Sequence, residues 1–168
     1  MIKTRDNFEA APIRTTTRTV PKEWIDYNGH MNVAYYTMAI DQAMDEVFDM
    51  LGLGQDLVAQ HGMGPMALQG QIHYLDELLM DQTFACDIQL LDADYKRMHL
   101  FVTMLHLDNG TEAATWEAIS MNVDLTARRS TGYPTECLAR VDSLLKAHSD
   151  LPRHRLAGAS LGLKRKKS

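Results

Sequence analysis

The chain has 168 residues, of which 45% are hydrophobic and 23% charged, so it is long enough to bury a core of ordinary globular size. Its formal net charge of −5 argues against nucleic acid as a partner, because phosphate-backbone binding usually requires a basic surplus. It has no run of roughly 18 apolar residues and no apolar leader, so we expect a cytoplasmic protein with no membrane partner.

The chain has no internal repeat and no shift of composition, so we expect a single domain over residues 1–168. Its two cysteines, Cys86 and Cys137, lie far apart and predict neither a disulfide nor a thiolate metal site. Residues 1–12 are polar and residues 164–168 are basic, and we expect both ends to be poorly ordered.

The first half of the chain predicts a strand followed by one long helix. Residues Ile13–Val20 are rich in threonine and have the β-branched character of a strand. From Asn32, the predicted N-cap, apolar residues recur with a 3.6-residue period as far as Leu51, and Gly52 and Gly54 supply the stop. The aspartates at positions 41, 45 and 49 indicate a solvated opposite face.

The second half predicts a glycine-rich turn over residues 62–65, four extended runs and a final helix. The tripeptide Asp108-Asn109-Gly110 favours a tight hairpin, so the third and fourth runs should be antiparallel neighbours. The predicted strands are Ala67–Leu75, Thr83–Asp92, Arg97–Leu107 and Thr111–Leu125, and the predicted helix runs from Thr135 to about His148.

This order of elements predicts an α+β fold. With so few helices, one curved antiparallel sheet of about five strands should wrap around the long central helix, with an additional C-terminal helix. Such a sheet leaves its outer face and edge strands poorly covered. We therefore expect a homo-oligomer, either a homodimer or a homotetramer.

The candidate catalytic segment is Asp26-Tyr27-Asn28-Gly29-His30-Met31-Asn32, which directly precedes the long helix. Unpaired N–H groups at a helix start can hold a carbonyl oxygen that is becoming an oxyanion. A nearby carboxylate could attack that carbonyl or deprotonate a water. The same residues also suit a structural role, with Asn28 and Asn32 as caps and Gly29 in a turn, and spacing alone favours neither interpretation.

The segment resembles the D-x-N-x-H signature of hotdog-fold acyl-CoA thioesterases, in which a sheet wraps one long helix whose N-terminal end faces the thioester. The run Tyr74-Leu75-Asp76-Glu77 is similar to the place where acyl-carrier thioesterases of this fold have an additional catalytic glutamate. Over residues 24–163 the chain also resembles the betainyl-CoA thioesterases, the partners of carnitine dehydrogenase, in Asp26–Met31, Lys96–Phe101 and Leu151–Arg153.

The resemblance implies a cofactor-free hydrolase of a small acyl-CoA, which in that subfamily is betainyl-CoA, cleaved to glycine betaine and CoA. Asp26 would be the nucleophile or general base, while backbone N–H groups near Gly29 to Met31 would polarise the thioester carbonyl. Asn28 and His30 would position the reacting groups, and Glu77 is a further catalytic candidate. No G-x-G-x-x-G motif follows any predicted strand, so we expect no NAD.

A CoA thioester requires basic groups for its phosphates, and a trimethylammonium acyl group favours aromatic faces. Tyr36 and Trp116 are aromatic too, but core packing is the better interpretation for both. The candidate substrate-binding residues are Trp24, Tyr27, Met31, Asn32, Tyr35, Lys96, Arg97 and Arg128.

Two other functions and a metal site compete with this interpretation. A hotdog enoyl- or hydroxyacyl-CoA dehydratase would use a different acid and base, and a non-catalytic acyl-CoA-binding module would need no carboxylate at position 26. The seven histidines form no H-E-x-x-H motif, and His99 and His106 should face opposite sides of one strand. We therefore expect no metal.

Overall fold

The computed structural model describes residues 3–163. The basic residues 164–168, predicted to form a poorly ordered tail, lie outside the described residues, as do residues 1 and 2. In chain order the elements are β1 Ile13–Arg14, β2 Arg18–Thr19, α1 Val33–Leu51, α2 Gln55–His61, β3 Met63–Tyr74, β4 Thr83–Ala93, β5 Arg97–His106, β6 Thr111–Asp124, β7 Arg129–Ser130 and α3 Thr135–His148.

The strands form one antiparallel sheet in the order β1-β4-β5-β6-β3, with β2 also paired to β4 and β7 to β6. The predicted hairpin between β5 and β6 is confirmed, with Gly110 in its turn at φ +77°. Among residues 3–163, β3 pairs only with β6, so it forms one edge of the described sheet.

Helix α1 has the bounds that its capping residues predict. The Asn32 side chain accepts a hydrogen bond from the Ala34 N–H at 3.0 Å, and Gly52 ends the helix in the left-handed region at φ +77°. The apolar face of α1 is buried against the inner face of the sheet, where Ile40 and Leu51 join the same core as Leu100 and other strand residues. This arrangement, one sheet wrapped around one long helix, is the expected hotdog fold.

Three details of the predicted elements are wrong. Ile13–Val20 is not one strand, because the Cys86 N–H donates to the Thr15 hydroxyl at 3.0 Å and so interrupts the backbone ladder between β1 and β2. The glycine-rich residues 62–65 are mostly strand, since β3 begins at Met63 and its edge position tolerates Pro65. Helix α2 was not predicted, because it is short and its single buried residue, Leu57, gives no apolar periodicity.

Segments outside the sheet are tied to it by specific contacts. The Arg5 N–H donates to the Met50 carbonyl at 2.9 Å, and the Arg140 guanidinium pairs with Asp6 at 2.9 Å. The prediction of a poorly ordered start did not anticipate these contacts. Within residues 3–163, no helix is long and apolar enough to cross a membrane.

Candidate active site

The loop before α1 folds as a narrow hairpin. The Asp26 N–H donates to the His30 carbonyl at 3.0 Å, and the Asn32 N–H donates to the Trp24 carbonyl at 2.9 Å. Gly29 turns the chain at φ +86°, in the left-handed region that glycine adopts without steric cost. The hairpin therefore brings Asp26 next to Asn32 at the start of α1.

The Asp26 carboxylate is half-buried and hydrogen-bonded within this loop. Its Oδ1 accepts from the Asn28 N–H at 2.8 Å, and its Oδ2 accepts from Asn32 Nδ2 at 3.3 Å. A carboxylate has about four acceptor positions, so each oxygen keeps capacity for a water or a substrate. Asp26 thus lies beside the first turn of α1, held by the residue that caps the helix. Asn28 contributes its backbone N–H to this arrangement.

The backbone N–H groups from Gly29 to Met31 are not equally available. The Gly29 N–H donates to the Asp26 carbonyl at 3.0 Å, and the Met31 N–H donates to the Leu78 carbonyl at 2.8 Å. Within the described part of the chain, the His30 N–H donates to no acceptor. Of the three predicted oxyanion donors, His30 is therefore the one whose N–H is free to donate a hydrogen bond to a substrate carbonyl oxygen.

A second segment, residues 74–78, reaches the start of α1 from the end of β3. The Leu78 N–H donates to the Tyr36 hydroxyl at 3.0 Å, and that hydroxyl donates to the Asp76 carbonyl at 3.3 Å. Burial raises the pKa of Tyr36, so the phenol keeps the proton that it donates. A single side chain of α1 therefore fixes the turn that carries Glu77.

A groove of about 400 Å³ opens where the two segments meet. It brings His30 and Met31 of the loop together with Glu77, whereas Asp26 and Asn28 are not among its lining residues. The Tyr36 and Tyr74 rings meet edge to face with centroids 5.4 Å apart. The lining residues are His30, Met31, Val33, Tyr36, Tyr74, Leu75, Asp76 and Glu77.

The two carboxylates of the groove differ in their hydrogen bonding. Asp76 accepts from the Thr111 hydroxyl at 2.6 Å and from the Glu77 N–H at 3.0 Å, and these bonds lower the pKa of Asp76. The Glu77 side chain is exposed and makes no hydrogen bond to any of residues 3–163. Asp76 is thus a fixed anion, while Glu77 presents an unpaired carboxylate.

The predicted aromatic residues lie near the loop but outside the groove. The Trp24 and Tyr35 rings stack on each other with centroids 5.3 Å apart, and Trp24 also contacts Phe84. The Tyr27 side chain is 97% exposed. Instead, the rings that reach the groove belong to Tyr36 and Tyr74.

The predicted basic residues do not reach the groove within one chain. Arg97 pairs with Asp94 at 2.6 Å and is opposite Met121, about 30 Å along β6 from Thr111 and the groove. Lys96 Nζ contacts the Ser130 hydroxyl at 3.2 Å, at the same end of the sheet. Arg128 is exposed in the turn between β6 and β7.

Sequence reasoning missed part of this groove. Tyr74 and Asp76 line it although neither was a candidate, and Tyr36 contributes a hydroxyl as well as the expected core packing. Their position in the run that ends at Glu77 is the signal that could have identified Tyr74 and Asp76. Across residues 3–163, no three His, Cys, Asp or Glu side chains gather in a way that could hold a metal ion.

Known proteins similar to this chain agree with the fold. A family model described as the thioesterase-like superfamily matches residues 20–141. The betainyl-CoA thioesterase of Pseudomonas aeruginosa is 32% identical over 152 residues, which cover 90% of this chain and 96% of that protein.

Two further relatives extend the comparison. The L-carnitine dehydrogenase/betainyl-CoA thioesterase of Rhizobium meliloti is 29% identical over 93% of this chain, which spans only 31% of that longer protein. A hypothetical protein of Staphylococcus aureus, solved in complex with CoA, superimposes with a TM-score of 0.84 at 26% identity. That superposition covers 92% of this chain and 98% of the other.

Proposed function

This chain belongs to the thioesterase-like superfamily, and from that premise we propose that it hydrolyses an acyl-CoA thioester to a carboxylic acid and CoA. The observation that carries the proposal is the meeting of two segments at the start of α1. Hydrogen bonds from Met31 to Leu78 and from Leu78 to Tyr36 join the Asp26 loop to the turn that bears Glu77. The CoA complex of the Staphylococcus aureus protein supports a CoA ester as the substrate class.

In the proposed reaction, the thioester carbonyl oxygen accepts a hydrogen bond from the His30 N–H, near the positive end of α1. Asp26 does not line the groove, but its backbone N–H donates to the carbonyl of His30, which does. We propose that Asp26 either removes a proton from a water that attacks the carbonyl carbon, or attacks that carbon itself and forms an anhydride that water then hydrolyses. In both routes the C–S bond breaks, the acyl group leaves as a carboxylate, and the CoA sulfur takes a proton. The Asn28 N–H and the Asn32 side chain orient Asp26.

We propose betainyl-CoA as the acyl substrate, with glycine betaine and CoA as products. Two of the reported relatives carry betainyl-CoA thioesterase in their names. The acidic and aromatic lining of the groove is compatible with an acyl group that carries a positive charge.

We further propose that the protein is a homo-oligomer. The edge strand β3 exposes Met66 and Leu68, and a second copy would cover them. Sedimentation at micromolar concentration tests this proposal, and a strictly monomeric species would contradict it. The choice between homodimer and homotetramer and the cytoplasmic location stay predictions.

The proposed activity is tested by offering purified protein a panel of short acyl-CoAs that includes betainyl-CoA and measuring free thiol. We expect Asp26→Asn to lower kcat by about 100-fold or more, the usual effect of losing a catalytic base. Asp41→Asn is the matched control, because Asp41 is exposed on α1 outside the groove. Full turnover by Asp26→Asn would remove Asp26 from the mechanism.

The same panel separates the competing functions. Binding of acyl-CoA without any release of thiol would indicate a non-catalytic binding module. A change in the acyl chain of an enoyl- or hydroxyacyl-CoA with the thioester intact would indicate a dehydratase.

A further inference from the structure

The groove at the start of α1 has an unusual balance of charge. Its lining includes two carboxylates, Asp76 and Glu77, and two phenol rings, but no lysine or arginine from residues 3–163. Such a wall repels the phosphates of CoA, so the groove suits the acyl end of the substrate. An acyl group with a positive charge is attracted there, while an anionic one is disfavoured.

The two carboxylates differ in how far hydrogen bonds compensate their charge. Asp76 accepts from the Thr111 hydroxyl, from Asn109 Nδ2 and from the Glu77 N–H, so three donors partly compensate its negative charge. The exposed Glu77 carboxylate makes no hydrogen bond in the described part of the chain. It is therefore the uncompensated negative charge of the groove.

The geometry around Glu77 is fixed before any ligand binds. The Tyr36 hydroxyl holds Asp76 and Leu78 on either side of Glu77, and the Tyr74 ring rests edge to face on the Tyr36 ring. The Tyr74 side chain is still 47% exposed, so part of its ring remains accessible in the groove. Such preorganisation lowers the entropic cost of binding a small cation.

A quaternary ammonium has no N–H to donate, so a protein recognises it through ring faces and unpaired negative charge. We infer that Glu77 and the Tyr74 ring select acyl groups that carry a quaternary ammonium, and that Glu77 serves in this selection and not in bond cleavage. The inference rests on the proposed thioesterase function and assigns Glu77 a different role from the catalytic one that the resemblance implies.

The test compares betainyl-CoA with 3,3-dimethylbutyryl-CoA, in which a carbon atom replaces the charged nitrogen and the shape is retained. The measured quantity is the ratio of kcat/KM for the charged substrate to kcat/KM for the neutral one. We expect the wild-type protein to favour the charged substrate by at least about tenfold. Glu77→Gln should lower this ratio about tenfold, chiefly through KM of the charged substrate, and Tyr74→Leu should lower it as well.

Glu9→Gln is the matched control, because Glu9 is exposed in the segment before β1 and its charge is lost in the same way. If Glu77→Gln lowers kcat for both substrates by the same factor and leaves the ratio unchanged, Glu77 is catalytic and the inference is overturned. Equal kcat/KM for the two substrates in the wild type would also overturn it, while the thioesterase function would stand. Absence of thiol release from every acyl-CoA of the panel would overturn both.

Discussion

One hydroxyl group joins α1 to the turn that carries Glu77, and we expect Tyr36→Phe to weaken this junction. The Tyr36 hydroxyl accepts from the Leu78 N–H at 3.0 Å and donates to the Asp76 carbonyl at 3.3 Å. Phenylalanine keeps the buried ring and its packing but removes both bonds. The substitution therefore isolates the hydrogen bonds from the hydrophobic core.

The expected cost follows from the burial of the two partners. Leu78 is completely buried, so its N–H would lose its acceptor without gaining a water, at a cost of about 1–3 kcal/mol in the free energy of unfolding. Asp76 is only half-buried, and water can replace the lost donor to its carbonyl. For a domain of this size each kcal/mol lowers Tm by about 2–4 °C, so Tm should fall by about 2–12 °C.

Tyr133→Phe supplies a matched control with the opposite expectation. The Tyr133 hydroxyl is buried and has no hydrogen-bond partner among residues 3–163, so it contributes no hydrogen bond to the fold. Burial also raises the pKa of Tyr133, so the phenol stays protonated. Removing this hydroxyl should leave the free energy of unfolding unchanged or increase it. Urea denaturation of the two variants, followed by circular dichroism, measures the difference.

Equal destabilisation of the two variants, within about 0.5 kcal/mol, would refute the assignment of a structural hydrogen bond to Tyr36. The proposed activity provides a second measurement. Because Tyr36 positions the turn that bears Glu77, kcat/KM should fall in Tyr36→Phe, and Tyr133→Phe should keep the wild-type value.

Three further predictions concern the loop and a buried histidine. Asn32→Ala removes the cap of α1 and a donor to Asp26, so the free energy of unfolding should fall by about 1 kcal/mol in urea denaturation. Asn32→Asp, which keeps a capping oxygen, should retain more stability yet still lose activity. Gly29→Ala should cost about 1–2 kcal/mol, because φ +86° is strained for any residue with a Cβ although no atom lies within 4 Å. His148 accepts from the Leu90 N–H at 2.9 Å, and burial lowers its pKa. As pH falls below about 6.5, His148 is therefore protonated in the unfolded chain before it is protonated in the folded one, and this favours unfolding. The urea concentration at the midpoint of unfolding should decrease below that pH.

Each of these predictions has an outcome that would contradict it. Equal activity of Asn32→Asp and wild type would show that the Asn32 amide does not orient Asp26. An unchanged midpoint in Gly29→Ala would show that the loop can adopt another turn. If the wild type and His148→Phe lost stability to the same extent between pH 7 and pH 5, the acid sensitivity would come from other groups.

The parts of the fold that short-range chemistry controls were predictable. The cap at Asn32, the stop at Gly52 and the 3.6-residue period between them predict α1, and the bounds of α3 agree as well. Predictions failed where one side chain competed with the backbone, as the Thr15 hydroxyl does between β1 and β2. They failed again for α2, which has only one buried residue to reveal its period.

The candidate site also contains a part that the sequence predicts and a part that only the tertiary structure brings together. Asp26, Asn28 and Asn32 lie within seven consecutive residues, and their hydrogen bonds to one another need only a local hairpin, so their proximity follows from the order of the amino acids. The Tyr36 hydroxyl meets Leu78 across 42 positions, and no periodicity or spacing encodes that contact. It forms because α1 packs against the sheet and brings the end of β3 to the start of the helix. The same packing leaves Lys96 and Arg97 at the other end of the sheet, since strand length sets how far apart two segments of one β-sheet must lie.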